Sequence, residues 1–203
     1  MARDYQTTVD LLVQRVRQDG GVAVTDNVAT EVLGKCERLL NAHLKRVIVT
    51  GSFTTTAKQL IYPYRTTLTA AVDILEVIDI TLPTYRTLFK MDSLAQFSAY
   101  EVGWFRNITG TRFEAWHQIA RDFLIIYPAK AAGATLNIVY TKLVDVYATY
   151  AAAAAKNMSL PDDDVETALA LAEIILLARN RNAAQIETRL EQFLPLLGLQ
   201  RSK

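Results

Sequence analysis

Cysteine and histidine are scarce in this chain, which has one of the first and two of the second in 203 residues. A single cysteine, Cys36, excludes any intrachain disulfide. It falls at an apolar position of an expected helix, where a free thiol behaves as a small buried hydrophobe. His43 falls in the last turn of the same helix, where partial positive charge suits the helix dipole. His117 stands beside Trp116 in strand-like sequence. Neither histidine has a second one, a cysteine or a patterned carboxylate near it, so both read as structural rather than as metal ligands. An excess of one charge is missing too. The 22 basic residues nearly cancel the 21 acidic ones, which leaves no global field to draw nucleic acid or a membrane surface. No apolar run reaches the ~18 residues of a membrane span, and "MARDYQTTVD" lacks the apolar core of a secretory signal. The glycosylation patterns Asn107-Ile108-Thr109 and Asn157-Met158-Ser159 carry no weight without secretion. The protein is therefore expected in a cytosol, or released from one.

Catalytic signatures are lacking as well. There is no phosphate-cradling G-x-x-x-x-G-K-[ST] loop, no G-x-G-x-x-G, no H-E-x-x-H and no G-x-S-x-G elbow. Two isolated histidines offer little for general acid–base work. An Asp/Glu hydrolase built from distant carboxylates is the enzyme class this leaves open. The joint absence of the others points away from an enzyme, and no cofactor is expected.

What is present is a globular composition, 51% hydrophobic and 21% charged, in a chain long enough to bury roughly 70% of its unfolded surface. It reads as helices, then strands, then helices. Val9, Leu12, Val13 and Val16 repeat at helical spacing before Gly20-Gly21 stops the run. A second helix starts where Thr25 or Asp26 can cap it, with Val28, Val32, Cys36, Leu39, Leu40 and Leu44 as its apolar stripe. Glu31 and Lys35 are spaced for an exposed ion pair on that helix. From about residue 48 the period changes, and "VIVTGSFTTTAKQLIYPY" and "VDILEVIDITL" read as strands. "MDSLAQFSAYEVGW" predicts a short helix with Leu94, Phe97 and Glu101 on one side. "RFEAWHQIARDFLIIYP" predicts a hairpin turning around Ala120, Arg121 and Asp122. In "ATLNIVYTK", Leu136, Ile138 and Tyr140 share the face expected to be buried. The alanine run in "YATYAAAAAKNMSLP" is a short helix or a closely packed linker. Two helices come after it, one buried through Val165, Leu169, Ala172, Ile175 and Leu176, the other through Ile186, Leu190, Phe193, Leu194 and Leu197.

Asp162, Asp163 and Asp164 stand in a row ahead of the first of these. A calcium loop needs alternating oxygen donors, a sharp-turn glycine and a closing glutamate, and none is arranged so here. Pro161 suits a first helical turn, Ser159 or a neighbour can cap, and the dipole favours the aspartates there and Arg179 and Arg181 at the far end. The three read as a helix start. Tyr62, Tyr64, Trp104, Trp116, Tyr127, Tyr140, Tyr147 and Tyr150 concentrate in and near the strands. They fit sheet core and rim better than a stacking platform for glycan or nucleic acid, and a protein interface is a third reading.

Taken together, two N-terminal amphipathic helices, a β-rich insertion, "DFLIIYPAKAAGATLNIVYTK" (Asp122 to Lys142) and the return to helix through "MSLPDDDVETALALAEIILLARNR" resemble the head-to-tail adaptor proteins of tailed bacteriophages. These are also called connector or head-completion proteins, and the likeness is to the short-tailed type. Where the family has a Gly-rich turn this chain has Ala57-Lys58-Gln59, and residues 83 to 112 correspond to nothing in the pattern. The resemblance implies an α+β fold in which N- and C-terminal helices make a four-helix bundle with an inserted antiparallel β-rich domain. Its divisions are 1–47, 48–145 and 146–203. It implies a structural virion protein at the head-tail junction, found in the host cytoplasm before assembly. This protein forms a homo-oligomeric, twelve-fold ring on the portal protein ring and receives tail nozzle, tube or fibre proteins. Genomic DNA passes through the lumen without sequence recognition, and no membrane is involved. The last residues, "FLPLLGLQRSK", are more apolar than the end of a marginal helix requires. By the same resemblance Leu194, Pro195, Leu196, Leu197, Leu199, Arg201 and Lys203 are candidates for lying along the portal. The alternative reading is a β-sandwich ligand- or glycan-binding module with helical flanks.

Overall fold

The computed structural model describes residues 3–20, 23–63, 74–84, 86–100, 103–106, 112–120, 123–129, 133–179 and 183–196. The fold is α+β. In chain order the elements are α1 (Tyr5–Gly20), α2 (Asp26–Leu44), β1 (Ile48–Thr54), β2 (Ile61–Pro63), β3 (Ile74–Thr81), β4 (Phe89–Lys90), α3 (Leu94–Tyr100), β5 (Ala115–Ile119), β6 (Phe123–Tyr127), β7 (Thr135–Lys142), α4 (Asp162–Arg179) and α5 (Ala183–Leu196). The chain divides into two compact units. One consists of Met1–Val47 with Val144–Lys203, the other of Ile48–Leu143.

The helical unit begins with a cap that the sequence pattern had not suggested. The Asp4 carboxylate accepts from the Thr7 N–H at 2.8 Å and the Thr7 hydroxyl at 2.9 Å, which satisfies donors that a helix start leaves free. Tyr5, Val9, Leu12, Val13 and Val16 are then buried along one side of α1. In α2 the cap is Thr25, whose hydroxyl accepts from the Val28 N–H, and the helix ends at Lys45 in the left-handed conformation. The stripe expected on α2 is partly corrected. Val32, Cys36 and Leu40 are buried, but Val28 and Leu39 stand in solvent, Leu39 at 63% exposure. The buried arc is turned toward Thr30, Gly34, Glu37 and Asn41, polar or small positions that an apolar count passes over. Glu37 and Asn41 are tolerated inside because each finds backbone donors: Asn41 takes the Val47 N–H, and Glu37 takes those of Ser159 and Leu160.

Helix α4 packs against α1, α2 and α5. Its buried set includes Val165, Leu169, Ala172 and Leu176 as expected, with Ile175 half-buried, and extends to Ala168, Ile174 and Leu177. Each such leucine contributes about 1.5–3 kcal/mol by leaving water. Asp162, Asp163 and Asp164 form its first turn, and Asp164 pairs with Arg46 at 3.3 Å. Pro161 sits just ahead of that turn, its carbonyl accepting from the Asp164 and Val165 N–H groups. Ser159 does not cap, because the first carbonyl of the helix is that of Pro161, two residues further on. The alanine run is mostly linker, with a single 3-10 turn at Ala151–Ala153. Beyond it the chain is pinned to the N-terminus by the Lys156 carbonyl, which accepts from the Tyr5 N–H, and by the Met158 N–H, which donates to the Arg3 carbonyl.

In the β unit two sheets form, β1-β7-β3 and β2-β6-β5-β4. All pairings are antiparallel except the short parallel contact of β4 with β5. Leu136, Ile138 and Tyr140 on β7 are buried, together with Phe53, Val77 and Ile80 from their own sheet and Tyr62, Trp116, Leu124 and Ile126 from the other. This shared core lies between the sheets. The β5–β6 hairpin turns at Ala120, which has φ +49°; Arg121 and Asp122 lie outside the described residues. On the second sheet's other side, Met91 and Phe97 pack with Ala115, Ile125 and Tyr127. Of the α3 residues expected to face inward, Phe97 does so and Leu94 does not, at 44% exposure, because only the middle of a seven-residue helix reaches the sheet. Glu101 lies outside the described residues. Lys58 has φ +58°, so in the Ala57-Lys58-Gln59 turn a lysine adopts the left-handed conformation that glycine takes without cost.

Candidate interaction surface at the last helix

The residues proposed to meet a portal belong to α5 and to the segment after it. α5 packs on α4, with Ile186 half-buried against the helical core and Phe193 buried to 6% exposure. Leu190, expected inside, is 40% exposed; α4 is the main neighbour of this helix among the described residues, and one neighbour covers one narrow stripe. A charge pair fixes the seating. Arg189 Nε lies 2.8 Å from Oε1 of Glu173, a carboxylate with almost no exposed surface. Pro195 lies inside α5 and removes a helical donor. Leu194 is half-buried and Pro195 exposed. These two and Leu196 fall in the last described turn of α5. Leu197, Leu199, Arg201 and Lys203 lie outside the described residues.

Beside α5 a groove of about 230 Å³ is lined by Arg15, Glu166, Ala170, Glu173, Arg189 and Gln192. Its charges are internally matched. Glu166 takes a hydrogen bond from Arg3 and lies 3.3 Å from Arg15. Partial burial pushes its carboxyl up, but the Arg3 hydrogen bond and the Arg15 charge outweigh that and hold it below the usual range. A second groove of about 520 Å³ runs along α1 past Arg3, Asp4, Thr7, Asp10, Gln14 and Glu166. Arginine, carboxylate and amide groups line both, and neither has a histidine or a thiol.

The other candidates fall elsewhere in the fold. Cys36 is buried in the helical core, and burial pushes its thiol up to about 12. His43 is exposed in the last turn of α2. His117 is half-buried, its Nδ1 2.7 Å from the Met91 carbonyl oxygen. Among the described residues no three His, Cys, Asp or Glu side chains gather as a metal site, and no helix is long and apolar enough to cross a membrane. Of the aromatic residues, Tyr62, Trp116, Tyr127 and Tyr140 are buried and offer no ring face for stacking. Trp104 packs on Phe97 with ring centroids 4.8 Å apart, Tyr147 lies edge-on to Tyr5 in the helical unit, and Tyr64 lies outside the described residues. Glu173 was missed by the sequence reading, although a lone acid inside "ALALAEIILLA" signals a buried charge in need of a partner.

Compared with known proteins, the chain matches no family model and no curated protein.

Proposed function

We propose that this protein is a structural head-to-tail adaptor of a short-tailed phage. It forms a ring on the portal vertex, continues the DNA channel toward the tail and holds tail proteins. One observation carries this reading: α1, α2 and α4 share a core against which Ile186 of α5 also packs, while the whole β unit is spliced between α2 and the return to helix. That arrangement supports a four-helix bundle with an inserted β domain, the plan that the sequence resemblance implies. In this reading the bundle faces the portal, the inserted domain serves the outer wall, and the segment from Leu194 onward lies along the portal. A head-to-tail ring uses two different faces of each subunit, and the near-neutral charge does not oppose close packing. No catalytic step or cofactor is part of the reading.

The experiment is the mass of the purified protein, alone and mixed with the portal ring of the same genome. A monomer alone and a ring-on-ring complex in the mixture are expected. A monomer in both samples refutes the adaptor.

A further inference from the structure

β1 is an edge strand, and among the described residues its outer side is open. The Thr55 N–H donates to the Ala134 carbonyl at 2.9 Å, and bonding alternates along an antiparallel pair. Val49, Gly51 and Phe53 therefore turn their backbone groups toward their partners Tyr140, Ile138 and Leu136 on β7. Ile48, Thr50, Ser52 and Thr54 turn theirs away. All four residues are exposed, and among the described residues nothing pairs with the outward groups.

The other edge of the same sheet is closed. On β3 the Val77 N–H donates to Gln118 Oε1 at 2.8 Å and the Ile80 N–H to Asp79 Oδ1 at 2.8 Å. The Ile80 carbonyl accepts from Leu88, and the Leu82 N–H donates to the Arg86 carbonyl. Two register shifts also bend β3. Side-chain plugs, covering loops and bulges are how folded proteins prevent strand addition. "IVTGSFT" has no such device: no charge, no proline and seven residues in unbroken register.

We infer that β1 is the acceptor edge for an extended segment of another virion polypeptide, which adds to this sheet as a further strand. Outward N–H and C=O groups repeating at every second residue over about 23 Å match a polypeptide backbone in strand conformation. The segment's side chains alternate: apolar beside Val49, Gly51 and Phe53 on the core face, hydroxyl or β-branched beside Ile48, Thr50, Ser52 and Thr54. It carries no charge against this uncharged strand. Among the described residues a second copy offers no matching edge. Head-to-tail pairing needs a second open edge, and among those residues β3 is closed, β2 runs over three residues and β4 over two. Two-fold pairing of β1 with itself offers a strip about 23 Å long and about 5 Å wide, far below the ~800 Å² per partner of a stable interface. A segment of a neighbour already held in an assembly does not have to supply the affinity alone, and here the inference rests on the adaptor reading.

The test is amide exchange of residues 48–54 in the full chain, free and mixed with the portal ring and tail proteins of the same genome, with the mass of each sample. In the free chain Thr50 and Ser52 should exchange fast and Gly51 and Phe53 slowly; in the complex the outward amides should slow by about tenfold or more, the worth of one net hydrogen bond. Thr50→Pro removes an outward donor that β7 does not use, which an edge strand tolerates. It should keep the wild-type unfolding midpoint and lose the added protection. Val49→Pro, at an inward position, should lower the midpoint instead. A complex of the expected mass whose outward amides still exchange at the free rate overturns this inference and leaves the adaptor standing. Slow outward amides in a dimer of the free chain overturn it in favour of a second copy. Absence of any complex overturns the adaptor reading, and this inference with it.

Discussion

Glu37 is a carboxylate with no exposed surface. Its Oε1 accepts the Ser159 and Leu160 N–H groups at 2.5 and 3.1 Å, while among the described residues Oε2 has no hydrogen-bond partner. Burial pushes its carboxyl up, the two N–H donors oppose that, and the negative charge of Asp145 adds to the rise. Tyr5 and Cys36 face the same region, and burial raises both of them as well; none of the groups that shift Glu37 is a cation. The sign follows from linkage: a raised folded value means that Glu37's contribution is fully present below the unfolded value of about 4.3 and is lost as pH rises through the folded one. Glu37→Gln keeps the acceptor and cannot ionise. Thermal melts between about pH 4 and about pH 8 should show the variant gaining on wild type as pH rises; parallel profiles would rule the assignment out. Glu37→Ala should destabilise at every pH, by about 1–3 kcal/mol for each backbone donor left without a partner. Cys36 gives an independent readout of the same core. With its thiol raised to about 12 by burial, alkylation in native buffer should follow global unfolding, and labelling within minutes of mixing would show an open core.

Among the elements, α5 carries a buried charge pair to α4. Glu173 is almost wholly buried and Arg189 is 29% exposed, so the pair lies between the surface and interior limits. Arg189→Met leaves a buried carboxylate without this partner and should cost about 2–4 kcal/mol, within the range for breaking a buried pair and reduced by the arginine's exposure. The double variant Glu173→Leu/Arg189→Met should cost less than the sum of the singles, which a denaturation cycle measures; additive losses would mean that the two do not act together. Across the elements, sequence pattern conveys part of the burial and omits the rest. Val9, Leu12, Val13 and Val16 were legible because α1 meets its neighbours along one plain apolar stripe. Leu136, Ile138 and Tyr140 were legible because a sheet with one inner face imposes a period of two. Leu190 and Val28 were misread because periodicity tells which residues could be buried, not how many neighbours arrive to bury them. Glu37 and Glu173 were missed for the converse reason: their burial depends on groups supplied by distant chain, at residues 159–160 and 189, which no local pattern encodes, while Asn41 takes its donor from Val47 just past the helix end. The Asp4 cap was a local signal passed over, a short acid three residues ahead of the threonine it binds.

For the whole molecule, the adaptor reading assigns docking to the segment from Leu194 onward, and the placement of α5 makes that separable from folding. Ile186, packed against the helical core, Arg189, paired with Glu173 of α4, and buried Phe193 all precede Pro195. Pro195 is exposed and lies inside the last described turn of α5. Removing residues 195–203 therefore deletes none of those contacts, and the unfolding midpoint should stay close to that of the full chain. If the segment lies along the portal, the truncated protein should remain a monomer when mixed with the portal ring, where the full chain forms the complex. A truncated chain that is folded and still assembles would move the docking surface to another part of the helical unit, where Val28 and Leu39 on α2 are the exposed apolar side chains to substitute next. A truncated chain that fails to fold would instead make these residues part of the core, with their apolar character explained by α4 and α5 rather than by a partner.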